Sequence, residues 1–236
     1  MISQTLFAVS DNESRPIHTG SLFEVDGNGL TIVSVDGYRL ALRHEAIDKK
    51  EGAETFSFVV PGAALSEVEK ICSDVDEPAS VTQGARHVMF KVGDTMLVSR
   101  RLEGEFLAYR QAIPRNNAIK VEGDTRTLLT SIDRVSLIIS DKLKSPLRCV
   151  FGDNVLSITT KTGIGDAADQ CPISGDGQNL EIGFNNRYLM DALKAAPTDR
   201  VRLELSSGVA PCVILPAEGE ENFLYMVLPV RLKAGE

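Results

Sequence analysis

The sequence predicts an α+β fold of two similar domains, and three observations predict it. Short strand-like runs outnumber helical ones. Amphipathic helical segments recur at a spacing of roughly sixty residues. The stretch Leu22–Ile32 is similar to the stretch Cys149–Ile158. The chain has 236 residues, of which 43% are hydrophobic and 25% charged, enough apolar side chains for one or two cored domains.

The strand readings come from alternating or short apolar runs. They fall at Ser21–Val25, Leu30–Val35, Arg39–Arg43, Phe56–Val60, Val88–Val92 and Thr95–Arg100. A second group falls at Leu147–Phe151, Val155–Thr160, Leu180–Phe184, Val201–Leu205, Val209–Leu215 and Phe223–Val230. Turn chemistry separates them at Asp26–Gly29, Asp36-Gly37, Gly93-Asp94, Gly152–Asn154 and Ser206–Gly208.

Three helices are expected between the strand groups. One runs from Pro61 to Cys72, with Ala64, Leu65, Val68 and Ile71 on one face. Another runs from Thr125 to Ile139, with Leu128, Leu129, Ile132 and Val135 on one side. The third runs from Asn186 to Ala196 and carries Tyr188, Leu189, Ala192 and Leu193. Strand, helix and three strands make one unit, and two units make a domain. The domains are then 1–114 and 115–236, with a linker near Pro114–Lys120. The first unit leaves only Met1–Val9 for its helix, so the first domain reads as truncated at its N-terminus.

Composition excludes several classes. The formal charge is −8, the wrong sign for a protein that grips DNA by neutralising phosphates. It leaves room for one that surrounds DNA with a locally basic inner face. Cys72, Cys149, Cys171 and Cys212 form no CxxC pair and read as reduced core thiols. His18, His44 and His87 match no metal spacing, and no cofactor or metal is expected. There is no long apolar run for a membrane span and no signal peptide, so the expected location is cytoplasmic.

Catalytic motifs are missing as well. Gly163–Ala168 approximates a dinucleotide-binding G-x-G-x-x-A but opens no helix, so a hairpin loop is expected there. Asp74–Glu77 lacks the glycine and distal glutamate of a calcium loop. An enzyme is not expected.

Five collinear segments resemble the DNA polymerase III beta subunit family of bacterial sliding clamps. They are Ser14–Pro16 with Thr19–Phe23; Ser34–Ala41; Leu102–Phe106 with Tyr109, Arg110, Ile113 and Pro114; Ile182–Asn185 with Tyr188, Leu189, Ala192 and Leu193; and Tyr225–Leu232. What they cover is similar to the second and third domains of that family. The resemblance implies a DNA clamp fold, in which each domain packs two helices on antiparallel sheets. It also implies a processivity role in replication, with double-stranded DNA held topologically inside a homo-oligomeric ring when the chain is full length. Polymerase and clamp-loader subunits are the implied partners, attached through short peptide motifs.

The resemblance further implies a peptide pocket between the two domains. From the first domain it assigns His18, Val35, Gly37, Tyr38, Arg39 and Leu40, and from the linker Leu107, Gln111 and Ala112. From the last domain it assigns Asn185, Tyr188, Val209, Pro211, Leu228, Pro229, Val230 and Arg231, with either Leu143 or Lys144. The chemistry fits: aliphatic side chains to line a cleft, and Arg39, Asn185, Tyr188 and Arg231 to bond an extended backbone. Three positions depart from the family pattern. His18 stands for an aliphatic residue, Val35 for a threonine and Leu107 for a proline. Candidates to face DNA are Arg15, Lys70, Arg126, Arg134, Arg187 and Lys194, each of which a solvated helix face would explain as well. The rival reading is a peptide-binding scaffold that never encircles DNA.

Overall fold

The structure is a computed structural model and describes residues 1–48, 55–73, 75–140 and 145–232. The chain divides into two compact units, Met1–Ala108 and Tyr109–Glu236.

The first unit opens on two 3-10 turns, Leu6–Ala8 and Pro16–Thr19. Strands β1 (Gly20–Asp26), β2 (Gly29–Val35) and β3 (Arg39–Glu45) follow as hairpins. Next come β4 (Phe56–Pro61), helix α1 (Gly62–Ser73), β5 (Ser80–Gln83), β6 (His87–Val92) and β7 (Thr95–Arg100). The antiparallel order is β4-β1-β2-β3 in one sheet and β5-β6-β7 in the other. Strand alternation sends Phe23, Ile32, Phe58, Val88 and Phe90 inward, where they enclose Leu65 and Val68 of α1. Phe23 stacks on Phe58 at 5.4 Å and meets Phe90 edge-on at 6.2 Å.

The second unit contains α2 (Tyr109–Ala112), β8 (Ile119–Asp124), α3 (Thr125–Ser136), β9 (Leu147–Thr162) and β10 (Gly165–Phe184). It continues with α4 (Asn186–Ala195), β11 (Arg200–Leu205), β12 (Cys212–Pro216) and β13 (Phe223–Val227). Its antiparallel order is β13-β12-β11-β8-β10-β9. Helices α3 and α4 pack on each other, and α3 lies on β8, β9 and β10. Their stripes Leu128-Ile132-Val135 and Leu189-Ala192-Leu193 are buried. Asp124 caps α3 by accepting from the Thr127 amide at 2.7 Å, and Asn185 caps α4 by accepting from the Arg187 amide at 2.9 Å.

Several expectations need correction. The runs at 147–151 and 155–160 are one strand, because Gly152–Asn154 makes a bulge instead of a turn. Asn154 takes φ 57°, and opposite it residues 173–179 absorb the register shift with Gly175, Gln178 and Asn179 at positive φ. Leu22–Ile32 and Cys149–Ile158 therefore fold differently, the first as a hairpin and the second as a bulged strand. Helix α3 stops at Ser136, three residues early, and Pro61 closes β4 without entering α1. Strand β8 begins at Ile119, inside the expected linker, and β12 begins only at Cys212. Val209–Pro211 is loop, where proline has no amide for a ladder. Among the described residues the first unit has one α-helix, with a 3-10 turn at Leu6–Ala8 where the end of a second was expected. The expected Gly163–Ala168 loop is the β9–β10 hairpin, whose Gly165 takes φ +147°. Part of the Asp74–Glu77 segment, Asp74, lies outside the described residues.

The thiols are free, and Cys149, Cys171 and Cys212 are buried. Burial, with the neighbouring Cys171, pushes the Cys149 thiol up to about 12. Burial raises Cys171 and Cys212 too. All three are kept as unreactive thiols at neutral pH.

One polar contact fixes α3 to β10. Ser131 donates to Asp169 Oδ2 at 2.9 Å, and Arg134 donates to the same oxygen at 2.8 Å. The Ser131 bond foremost, then the Gln170 amide and Arg134, holds the Asp169 carboxyl below its usual value. A carboxyl depressed in the folded state stabilises above its unfolded pKa of about 3.9 and loses that contribution as pH falls through the lower folded value. Asp169→Asn is therefore expected to cost about 1 kcal/mol at pH 7. The gap between variant and parent, measured by urea unfolding, should narrow on acidification below about pH 4. A gap independent of pH would contradict this.

Candidate functional site

In the second unit, the end of β10 gathers the residues that the resemblance assigns. The Val230 amide donates to the Gly183 carbonyl at 2.8 Å, a bridge that fastens the segment after β13 to β10. Gly183 permits this approach, because a Cβ there would stand 2.5 Å from the Val230 oxygen and 2.8 Å from Leu232 Cδ2. Two residues earlier, Glu181 receives the 206–211 loop. A Cβ on Gly208 would stand 2.5 Å from the Glu181 oxygen. These two contacts present Val209, 76% exposed, and Val230, 38% exposed, to solvent.

Asn185 and Tyr188 follow directly on the same strand end. Asn185 spends its side-chain oxygen on the α4 cap, and Tyr188 is half-buried. Pro211, Leu228 and Pro229 are half-buried, and Arg231 is exposed. Gln111 and Ala112 are exposed on α2. Leu143 and Lys144 lie outside the described residues.

In the first unit, Asp36 builds the β2–β3 turn. Its Oδ1 accepts from the Tyr38 amide at 2.9 Å and the Arg39 amide at 3.0 Å. Its Oδ2 accepts from Arg39 Nε at 2.8 Å. Gly37 supplies φ +92°, as the Asp-Gly turn requires. The turn pushes Tyr38 out to 60% exposure. Arg39, by contrast, is held by Asp36 and lies over the Phe7 ring at 5.4 Å. Val35 and Leu40 are buried, at 2% and 1% exposed, so they act as core and offer no lining surface. Leu107 is 43% exposed. His18 is half-buried and meets Phe106 edge-on, with ring centroids 5.3 Å apart.

The basic candidates differ in their partners. Lys70 is bonded to Glu67 at 2.7 Å and Arg134 to Asp169. Arg126 and Arg187 are exposed in the first turns of α3 and α4, and Lys194 is exposed in the last turn of α4. A cation in a first turn opposes the helix dipole. The charge is also uneven: residues 1–108 carry ten Lys and Arg against seventeen Asp and Glu, whereas residues 109–236 carry fifteen against sixteen. Sequence reasoning missed Gly183 and Gly208 as positioning residues. For Gly183 the signal was there, since a glycine inside a strand pattern marks a close backbone approach, whereas Gly208 reads as an ordinary turn residue.

Two antiparallel α+β units, with amphipathic helices laid on sheets, define a protein of the DNA clamp fold. No helix among the described residues is long and apolar enough to cross a membrane. The comparisons specify the family. The model for the DNA polymerase III beta subunit central domain matches residues 1–107, and that for its C-terminal domain matches residues 110–231. The chain belongs to the DNA polymerase III beta subunit family, the bacterial sliding clamps.

A beta sliding clamp of Staphylococcus aureus (strain Mu50 / ATCC 700699) is 33% identical over 98% of this chain and 61% of its own length. The crystal structure of a DNA polymerase III beta subunit from Eubacterium rectale matches at TM-score 0.90 and 33% identity, covering 97% of this chain and 61% of that one. The sliding clamp of Bacillus subtilis matches at TM-score 0.91 and 29% identity, covering 98% and 61%. A Pseudomonas aeruginosa sliding clamp bound to griselimycin matches at 0.91 and 27%, covering 98% and 62%. The chain thus spans about three-fifths of these relatives' length.

Gly183→Ala tests how the C-terminal segment is held. The variant is expected to fold, with the Val230 amide exchanging about fivefold faster, the factor for losing a hydrogen bond worth about 1 kcal/mol. Hydrogen exchange read at Val230 checks it, and unchanged protection there would refute the positioning role.

Proposed function

We propose that this chain serves as a non-catalytic processivity clamp subunit in the cytoplasm. On this reading it binds extended peptide tails of polymerase, clamp-loader and repair proteins. The observation that carries it is the exposure of Val209 and Val230, each held on the end of β10 by a glycine contact. Aliphatic side chains displayed this way suit the bulky apolar residues of a tail. Tyr38, Leu107, Gln111, Ala112, Asn185, Tyr188, Pro211, Leu228, Pro229 and Arg231 complete the proposed peptide contacts. Burying two bulky apolar side chains gives roughly 3–6 kcal/mol before ordering costs, which suits micromolar affinity for a free peptide.

For DNA, the proposal is encirclement by the full-length ring, with weak contact from the α3 and α4 cations Arg126, Arg187 and Lys194. Arg15, Lys70 and Arg134 are further candidates, the last two of them bonded to Glu67 and Asp169. The acidic balance of residues 1–108 supports topological retention over direct grip. The same balance also favours the rival, a peptide-binding module that never encircles DNA.

One measurement tests the peptide site common to both readings, and a second separates them. In fluorescence anisotropy, Tyr188→Ala is expected to weaken a peptide with one glutamine and a Leu-Phe pair by about tenfold. Unchanged affinity would refute the peptide site. On DNA, a ring stays on a closed circle through moderate salt and leaves once the circle is cut. Release from both forms by modest salt would favour the non-encircling module.

A further inference from the structure

His18 brings an imidazole into a half-buried setting in the first unit. It closes the 3-10 turn Pro16–Thr19, and its backbone is fixed at both polar groups. The His18 amide donates to the Arg15 carbonyl at 3.0 Å, and its carbonyl accepts from the Ser10 amide at 3.0 Å. The segment Leu102–Leu107 returns along this turn. Ile17 lies beside Gly104, where a Cβ would stand 3.6 Å from Ile17 Cβ, and Phe106 meets the imidazole edge-on at 5.3 Å. The ring is thus set in place by backbone on one side and an aromatic ring on the other.

Its nitrogens are a different matter. Among the described residues, neither ring nitrogen of His18 has a hydrogen-bond or ion-pair partner. An aliphatic side chain at this position would ask nothing polar of a ligand. An imidazole brings a donor and an acceptor into a half-buried, partly aromatic setting, and leaving them unmatched on binding is costly.

We propose that His18 is a specificity-determining residue that makes partner choice depend on pH, by favouring peptides that set a carboxylate against its ring. The inference rests on the peptide-binding reading above and names the chemistry of one contact within it. The charged groups around the ring are few. Burial foremost, and then the Arg15 guanidinium, hold the imidazole below its usual value, so it is neutral at physiological pH. The exposed carboxylates of Asp11 and Glu13 in the preceding loop, and of Glu103 and Glu105 in the returning segment, do not offset this. Ser10 and Phe106 bring no charge. A ligand carboxylate would supply the missing counter-charge and raise the imidazole pKa in the complex. Binding then takes up a proton, so affinity rises as pH falls through the pKa of the complex and levels off below that of the free protein.

The experiment uses fluorescein-labelled peptides with one glutamine, a C-terminal Leu-Phe pair and, at each position between them in turn, Leu or Glu. Anisotropy titrations compare about pH 6 with about pH 8, spanning the histidine range. Both values lie above the sequence pI of about 5.0. Wild type is expected to bind one Glu peptide about fivefold more tightly at the lower pH. The matching Leu peptide should not respond. His18→Leu should abolish the response and tighten the Leu peptide. His18→Gln, which keeps polar groups without titrating, should abolish the response alone. Persistence of the gain in His18→Leu, or no gain for any Glu peptide that binds wild type, overturns the role of His18 while leaving the peptide reading intact. Failure of every peptide to bind wild type at either pH overturns both.

Discussion

A helix whose apolar side chains occupy one stripe can be buried from one side only, and both units are built around meeting that constraint. In the second unit, Leu128, Ile132 and Val135 on α3 and Leu189, Ala192 and Leu193 on α4 reach full burial. They do so because antiparallel strands turn every second side chain toward them. In the first unit α1 buries Leu65 and Val68, with Ala64 and Cys72 packed beside them, and three phenylalanines from two sheets close over them. The opposite helix faces are left to polar and charged groups, and Arg126, Arg187 and Lys194 occupy them as a consequence.

Burial of the helices also fixes the strand ends, where the proposed peptide contacts lie. Asn185 follows directly on β10 and caps α4, so strand and helix are joined by one residue whose side chain is already committed. Gly183 and Gly208 bring two separate loops against the final residues of β10 at distances no other residue type permits. Exposed valines on those loops are therefore held by rigid backbone, which lowers the ordering cost of binding. The Asp36 turn works similarly: one carboxylate accepts from two amides and a guanidinium, and Tyr38 projects as a result.

Much of this was legible in the sequence. The 3.6-residue stripes located all three long helices within a few residues, and Asp-Gly and Asn-Gly punctuation located the β1–β2 and β2–β3 hairpins. The failures share a cause, in that partner strands decided what local chemistry left open. Gly152–Asn154 reads as a turn, yet residues 173–179 opposite it turn the site into a bulge. The first half of β10 has few β-branched residues and is held as strand by β9. Val35 and Leu40 carry the right apolar chemistry for a site, but alternation beside the turn buries both. Gly183 carried a signal, and its meaning depended on knowing which backbone approaches it.

On the proposed function, apolar side chains displayed at strand ends, and not the basic helix faces, recognise partner peptides. Hydrogen exchange of the chain saturated with a glutamine-plus-Leu-Phe peptide tests it most directly. Added protection is expected at residues 36–40, 185–188, 207–211 and 228–231, with α1 and α3 unchanged. Protection confined to the helices, or none at 207–211 and 228–231, would contradict it.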